Sequence, residues 1–469
     1  MNPRRLVPLA LAVAAAALFL ALAWTRRLNF DESLALRAGW LDLAAEPSAP
    51  AFLMPWTLLA GAVGHWFADP GTVFRILRMI AAGGVVWAFA GALAAAGICG
   101  FRLAAAAWLA VANAAFATHA IEFRYDAAVL ILLLVAFRIV AKGGSPAVLG
   151  AVAGALALHH LKGAYYAAGL AVVLALVSTA RGRDLRRFAA GFAGAVAAWV
   201  ALLAPLGLLD RWGESLRTFY TLAGSERAPV GETLGPVLRR DLAWWLFVLV
   251  ALVAAASSRQ RGARDRRDLA ALALAGLGVG FWVVHPHAWA YLAAVPVPFL
   301  LVAALRALPS TPRDWRAPAL AAAAGVALQL ASDSPAPLAQ LSGVMAAPMG
   351  PEVELLRVLR RELRLDDRVL DPSGIVYFVP PCTEDWYLDS LYLRRMRRGL
   401  WMQTLAAGLP ASCTIALETY RLLAIPSMAA RGLMDEFWLL PSGIAIRKGR
   451  EPSAALFVPV DKRDRDNFW

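Results

Sequence analysis

The stretch LVPLALAVAAAALFLALAW (residues 6–24) runs into Thr25-Arg26-Arg27-Leu28-Asn29-Phe30-Asp31-Glu32. Its apolar part is close to the ~20 residues needed to cross a bilayer. It ends in Trp24-Thr25-Arg26-Arg27 and not in a small-residue cleavage site, so it is expected to stay as an anchor. Two adjacent carboxylates, Asp31 and Glu32, stand just past it.

Blocks of the same kind recur along the chain. The sequence is 60% hydrophobic and 17% charged, against roughly 25% charge in soluble domains. About eleven spans are expected near 6–24, 74–97, 103–119, 126–141, 146–161, 164–179, 188–209, 242–257, 269–284, 288–306 and 316–332. The fold class read from this pattern is a polytopic α-helical membrane protein.

The formal net charge is +13, but it does not imply a nucleic-acid partner. The basic residues sit in short loops between apolar blocks, where they report topology. With Met1 to Arg5 placed in the cytoplasm, one side collects Arg102, then Arg138 and Lys142, then Arg181, Arg183, Arg186 and Arg187. Arg259, Arg261, Arg264, Arg266 and Arg267 follow on that side, and then Arg306, Arg313 and Arg316. This is the positive-inside pattern.

The apolar block Ala51–Phe67 breaks the count, because a span there would invert every later loop. It contains Pro55 and follows Pro47-Ser48-Ala49-Pro50, so it reads as a helix lying in the interface or dipping partway in. Asp31–Leu43 reads as a short surface helix with Leu34, Ala38 and Leu41 on one face. Residues 25–73 thus form a first outer loop, within a transmembrane domain of residues 1–332. Asp210–Asp241 reads as a second outer loop, punctuated by Gly213, Gly224, Gly231 and Gly235.

After Ser332-Asp333-Ser334-Pro335-Ala336-Pro337 the composition changes. An amphipathic helix is expected at Glu352–Leu365, with strands at Arg368–Leu370, Gly374–Val379, Thr414–Leu417 and Gly443–Arg447. Residues 333–469 read as a small α/β domain on the non-cytoplasmic face. Cys382 and Cys413 fall there, where an oxidising compartment would let them pair. Cys99 reads as a free thiol at an inner span end.

Ionisable groups at membrane depth are costly, so those at span ends are functional candidates. Asp31 and Glu32 could supply a general base, hold a cation or cap the surface helix. Glu122-Phe123-Arg124-Tyr125-Asp126 places three charges at one span end. Arg124 suits a phosphate and Asp126 a second carboxylate role, although Arg124 snorkelling to lipid would explain the pair as well. His159-His160-Leu161-Lys162-Gly163 puts a lysine on the side where cations are disfavoured, in a chain that otherwise chooses arginine. An ammonium there suits an anion. His285-Pro286-His287, with Trp289 and Tyr291 behind it, could help to bind a metal, but two histidines are weak evidence. Arg75 and Arg78 could meet a phosphate or a lipid head group. All five clusters fall on the outer face. No phosphate-binding glycine loop or nucleotide fingerprint is present.

At these residues the chain resembles the GT-C superfamily of polyprenyl-phosphate-dependent glycosyltransferases. The branch it most resembles contains protein O-mannosyltransferases, the lipid A aminoarabinose transferase and rhizobial lipid A galacturonosyltransferases. The likeness rests on Asp31-Glu32, Arg75–Met79, Glu122–Asp126, Leu161-Lys162-Gly163 and His287–Pro298 (HAWAYLAAVPVP) in that order. It covers roughly residues 6–306.

The resemblance implies a GT-C-like catalytic domain in a bacterial inner membrane, acting as a monomer on its periplasmic side. It implies a polyprenyl-phosphate-sugar donor and a lipid, glycan or protein acceptor. Asp31 would be the base, helped by Glu32 and Asp126. Arg124, Lys162, His159, His160 and Arg78 would meet the donor phosphate. Arg75, Glu122, Tyr125, His287 and Tyr291 would line the pocket. No cofactor is required, though a divalent metal on His285 and His287, or on His65, is compatible. A lipid-linked-sugar flippase is the competing class, and a polysaccharide ligase is a further one. A flippase needs charges near the midplane and broken helices in paired halves, whereas the charges here lie at the rim.

Overall fold

A computed structural model describes residues 3–26, 30–44, 53–159, 161–213, 216, 230–258, 265–285, 290–308, 315–331, 350–364, 367–371, 376–380, 382, 413–417, 437–439 and 444–449. The chain is mostly helical. In order the helices are α1 (Pro3–Thr25), α2 (Phe30–Leu43), α3 (Pro55–Trp66), α4 (Pro70–Ala95), α5 (Phe101–Ala112), α6 (Ala114–His119), α7 (Tyr125–Ala141) and α8 (Pro146–His159). They continue with α9 (Leu161–Val177), α10 (Arg181–Leu203), α11 (Val230–Arg240), α12 (Leu242–Ser258), α13 (Arg266–Val284), α14 (Val297–Ala307), α15 (Arg316–Ala331) and α16 (Gly350–Glu362). Each expected apolar block contains helix, although 103–119 is split in two and only Val297–Ala307 of 288–306 is α-helical. Of these, Leu6–Thr25, Pro70–Ala95, Arg181–Leu206 and Arg266–Val284 are long and apolar enough to cross a membrane.

The chain divides into two compact units. The first comprises residues 1–26, 78–206 and 227–347. Its core is aliphatic and aromatic, with Phe19, Phe116, Phe137, Leu170 and Phe299 all buried.

Within this unit the third expected span is broken at Asn113, where α5 stops and α6 starts. The break is stabilised by specific partners. Asn113 accepts from the Phe116 amide at 2.9 Å. Asp241 accepts from the Ala114 and Ala115 amides at 2.8 and 3.3 Å. Trp244 donates to the Leu109 carbonyl at 2.9 Å. The exposed helix-end groups are thus satisfied in an apolar setting. The turn after α6 carries Glu122 and Arg124.

The second unit comprises residues 27–77, 207–226 and 348–469. Here α2 and α3 cross with almost no space between them. A Cβ on Gly39 would stand 1.7 Å from the Thr57 carbonyl oxygen, and one on Gly61 would stand 2.2 Å from Gly39. Residues 32–39 of α2 are all buried, where the sequence predicts a single buried face. Arg37 is fully buried and pairs with Asp371 at 3.4 Å. Burial lowers the Arg37 pKa to about 10, partly offset by Asp371.

A four-stranded sheet lies in this unit, in the order β1 (Arg368–Leu370), β2 (Cys413–Leu417), β4 (Ile444–Arg447), β3 (Phe437–Leu439). β1 and β2 are parallel and the other pairs are antiparallel. β3 was not expected. Of the strand expected at Gly374–Val379, residues 376–379 form turns and no strand. Asp371 there accepts from the Val376 amide at 2.7 Å, which curls the segment instead of extending it. Cys382 and Cys413 form a disulfide.

Candidate functional site

The first unit gathers its charges at the end of α1, in the α6–α7 turn and at the starts of α7 and α9. Glu122 is fully buried and has three partners. Arg26 meets it at 2.7 Å, His119 donates to it at 3.1 Å and Arg124 donates to it at 3.2 Å. Burial alone would raise the Glu122 pKa. Arg26, His119 and Arg124 outweigh it and hold the carboxyl well below its usual range.

Arg124 is the N-cap of α7, in extended backbone. It reaches Asp126 at 3.7 Å, and its guanidinium lies 3.9 Å from the Tyr291 ring centre. Asp126 sits in the first turn of α7, where the positive helix end favours a carboxylate. Lys162 is in the first turn of α9, where the same effect disfavours a cation. Asp126 compensates it at 3.1 Å. Lys162 also donates to the Tyr291 hydroxyl at 3.2 Å and lies 4.4 Å from that ring's centre. Tyr291 thus carries two cations, one on the ring face and one also held by the hydroxyl.

Gly163 explains how Lys162 is placed. A Cβ there would stand 1.7 Å from the Leu156 carbonyl oxygen of α8. Only glycine lets the α8–α9 hairpin close this tightly, and that closure fixes the preceding residue, Lys162.

Among the predicted residues, Glu122, Arg124, Asp126, Lys162 and Tyr291 come together. Tyr125 opens α7 beside them, with its hydroxyl buried. Arg78 is buried and donates to the Arg26 carbonyl, which brings it to the α1 end of the same network. His159 donates within its own helix, to the Ala155 carbonyl at 2.6 Å. Asp31 lies in α2 and Glu32 is buried there; both belong to the second unit, as does the half-buried Arg75. The Asp31 side chain, His160 and His287 lie outside the described residues.

His285 caps α13 and packs against Phe281 at 5.2 Å. His65 stacks on Trp40 at 4.9 Å. Among the described residues no group of three His, Cys, Asp or Glu side chains converges as a metal site.

Three site residues escaped the sequence reading. Arg26 counted there only as part of the α1 end. His119 fell inside an apolar block. Tyr166 is one turn after Lys162 on α9, is buried, and has a hydroxyl with no hydrogen-bond partner among the described residues. Its i, i+4 spacing from Lys162 was the available signal.

Among the described contacts of this network, Arg26, Arg78, Arg124 and Lys162 gather with Glu122 and Asp126. A buried cluster of fixed cations is suited to an anion, and it can stabilise negative charge that develops in a reaction.

No protein-family model matches the chain, and no curated protein matches it in sequence. Its fold is similar to solved structures of ArnT from Cupriavidus metallidurans. The apo crystal structure superposes with a TM-score of 0.61 at 15% identity, over 92% of this chain and 95% of that one. The structure bound to undecaprenyl phosphate gives a TM-score of 0.53 at 17% identity, over 80% of this chain and 74% of that one. The chain shares the ArnT fold.

Proposed function

We propose that this protein is a GT-C-type glycosyltransferase of a bacterial inner membrane, using a polyprenyl-phosphate-linked sugar as donor. The observation that carries the reading is the pair of cations, Arg124 and Lys162, held on Tyr291 with Asp126 between them. The shared fold with a protein crystallised with undecaprenyl phosphate supports it.

In this reading the donor phosphate lies against Arg124 and Lys162, with the active face periplasmic and the N-terminus cytoplasmic. Asp31 accepts the proton of an acceptor hydroxyl, assisted by Glu32. The acceptor oxygen forms a bond to the anomeric carbon as the bond from that carbon to the phosphate oxygen breaks. The electron pair leaves with the polyprenyl phosphate, and configuration inverts. Negative charge grows on the leaving phosphate, which is where fixed cations lower the barrier most. Asp126 keeps Lys162 charged and aimed. The acceptor is a lipid, glycan or protein of the envelope, and residues 333–469 form an extracytoplasmic domain.

The test uses reconstituted full-length protein with a polyprenyl-phosphate sugar. Lys162→Ala is expected to lower kcat/KM by about 100-fold, as loss of one oxyanion-type contact does. Unchanged kcat and KM in that variant would reject the phosphate role. Asp31→Asn is expected to lose about 100-fold or more in turnover while still binding donor. Wild-type turnover would remove Asp31 from the mechanism.

A further inference from the structure

We propose that the other end of these helices carries a separate site for the phosphate head of an anionic phospholipid. α7 links the two ends. From Asp126 to Val140 it runs about 21 Å, at about 1.5 Å per residue. At the Val140 end there is a cavity of about 210 Å³ lined in part by Arg183, Arg187 and Arg266. Its apolar lining includes Ile139, Leu149, Leu174 and Val177.

Two helices finish at this cavity, and their carbonyl ends are already occupied. The Gly143 and Gly144 amides donate to the Val140 and Ile139 carbonyls of α7 at 3.0 and 2.8 Å, with Gly143 at φ +67°. This is a Schellman closure. Arg266 donates to the Val177 carbonyl of α9 at 3.2 Å. The negative helix ends are therefore muted.

The positive ends are not. α8 starts at Pro146 and α10 at Arg181, both at this cavity. Arg183 and Arg187 sit one turn apart in the opening turns of α10, where a helix disfavours cations. Among the lining residues the only carboxylate is Asp184. It is engaged by Ser178 at 2.6 Å and Arg183 at 3.6 Å. Three arginines and two helix starts against one occupied carboxylate call for an anion.

The apolar lining decides which anion. Val148 and Leu176, sequence neighbours of Leu149 and Val177, are 52% and 57% exposed. Exposed apolar side chains thus stand on the helices that line the cavity, as acyl chains require and a free phosphate does not. Basic pockets between membrane helices bind anionic head groups in this way. The inference needs the helices to lie in a bilayer and does not depend on glycosyl transfer.

The full chain, purified in neutral detergent, is titrated with phosphatidylglycerol or phosphatidylcholine, and bound lipid is counted by native mass spectrometry. The double variant R183Q/R187Q is expected to retain about tenfold less phosphatidylglycerol. Phosphatidylcholine is expected to bind equally to variant and wild type. The charge-matched R181Q/R186Q, outside the cavity lining, is expected to behave as wild type. Both arginines of the test pair are exposed, and unchanged helix content by circular dichroism verifies folding. Equal retention of both lipids, or equal loss in both double variants, would overturn the site. Binding of inorganic phosphate that is lost in R183Q/R187Q, with lipid retention unchanged, would overturn the lipid assignment.

Discussion

Glu122 has no exposed side-chain surface yet meets Arg26, His119 and Arg124. A buried ion group gains little over an apolar substitute but costs much when one member is removed. Glu122→Gln is therefore expected to destabilise the first unit by about 3–5 kcal/mol, read as a lowered thermal unfolding midpoint in detergent. A midpoint within experimental error of wild type would show that water reaches these cations. The sequence exposed half of this network. Glu122, Arg124 and Asp126 stood out because three charges crowd one span end, and Lys162 because it replaces the customary arginine. Arg26 and His119 did not stand out. An arginine after a span, and a histidine within an apolar run, are unremarkable until the chain folds them against one carboxylate.

At the scale of elements, apolar length was a good guide to where helices lie and a poor guide to how they break or cross. α5 and α6 read as one block, since nothing in residues 103–119 says that Asp241, over a hundred residues later, will accept the Ala114 amide. α2 read as a surface helix because Leu34, Ala38 and Leu41 mark a single apolar face, which leaves Arg37 and Asp42 off it. Asp371 and the Leu53 amide satisfy them inside the protein instead. The α2–α3 crossing gives a sharp expectation. Gly39→Ala places a methyl inside the contact radius of the Thr57 carbonyl and must force the helices apart, at a cost of about 1–3 kcal/mol or more. Limited proteolysis should then cut between α2 and α3 faster than in wild type. Unchanged protection would mean that the crossing relaxes freely.

At the scale of the whole molecule, electrostatics in the second unit set its behaviour in acid. Asp69 accepts from Arg357 at 2.6 Å and from Thr72 at 2.9 Å. The Arg357 hydrogen bond holds the Asp69 carboxyl well below its usual range. A lowered acid pKa adds stability above the unfolded value, near 4, and that stability is lost as pH falls through the folded value. The pair is partly exposed, so solvent screening limits it to less than about 1 kcal/mol. Asp69→Asn should lower the denaturation midpoint slightly at pH 7 and equally at pH 5, and the gap should close only in strong acid. A gap that closes near pH 6 would place the effect on another group.

The Arg37–Asp371 contact spans 334 residues of chain. Protein synthesis proceeds at about 5–20 residues per second, so Arg37 emerges roughly 20–70 s before its carboxylate exists. Through that interval α2 lacks the carboxylate that later faces its buried guanidinium. A segment made 334 residues later is thus what locks the first helix beyond α1 into place. Shortening the gene before codon 371 would leave that early helix permanently unfinished, while the later apolar helices could still insert normally.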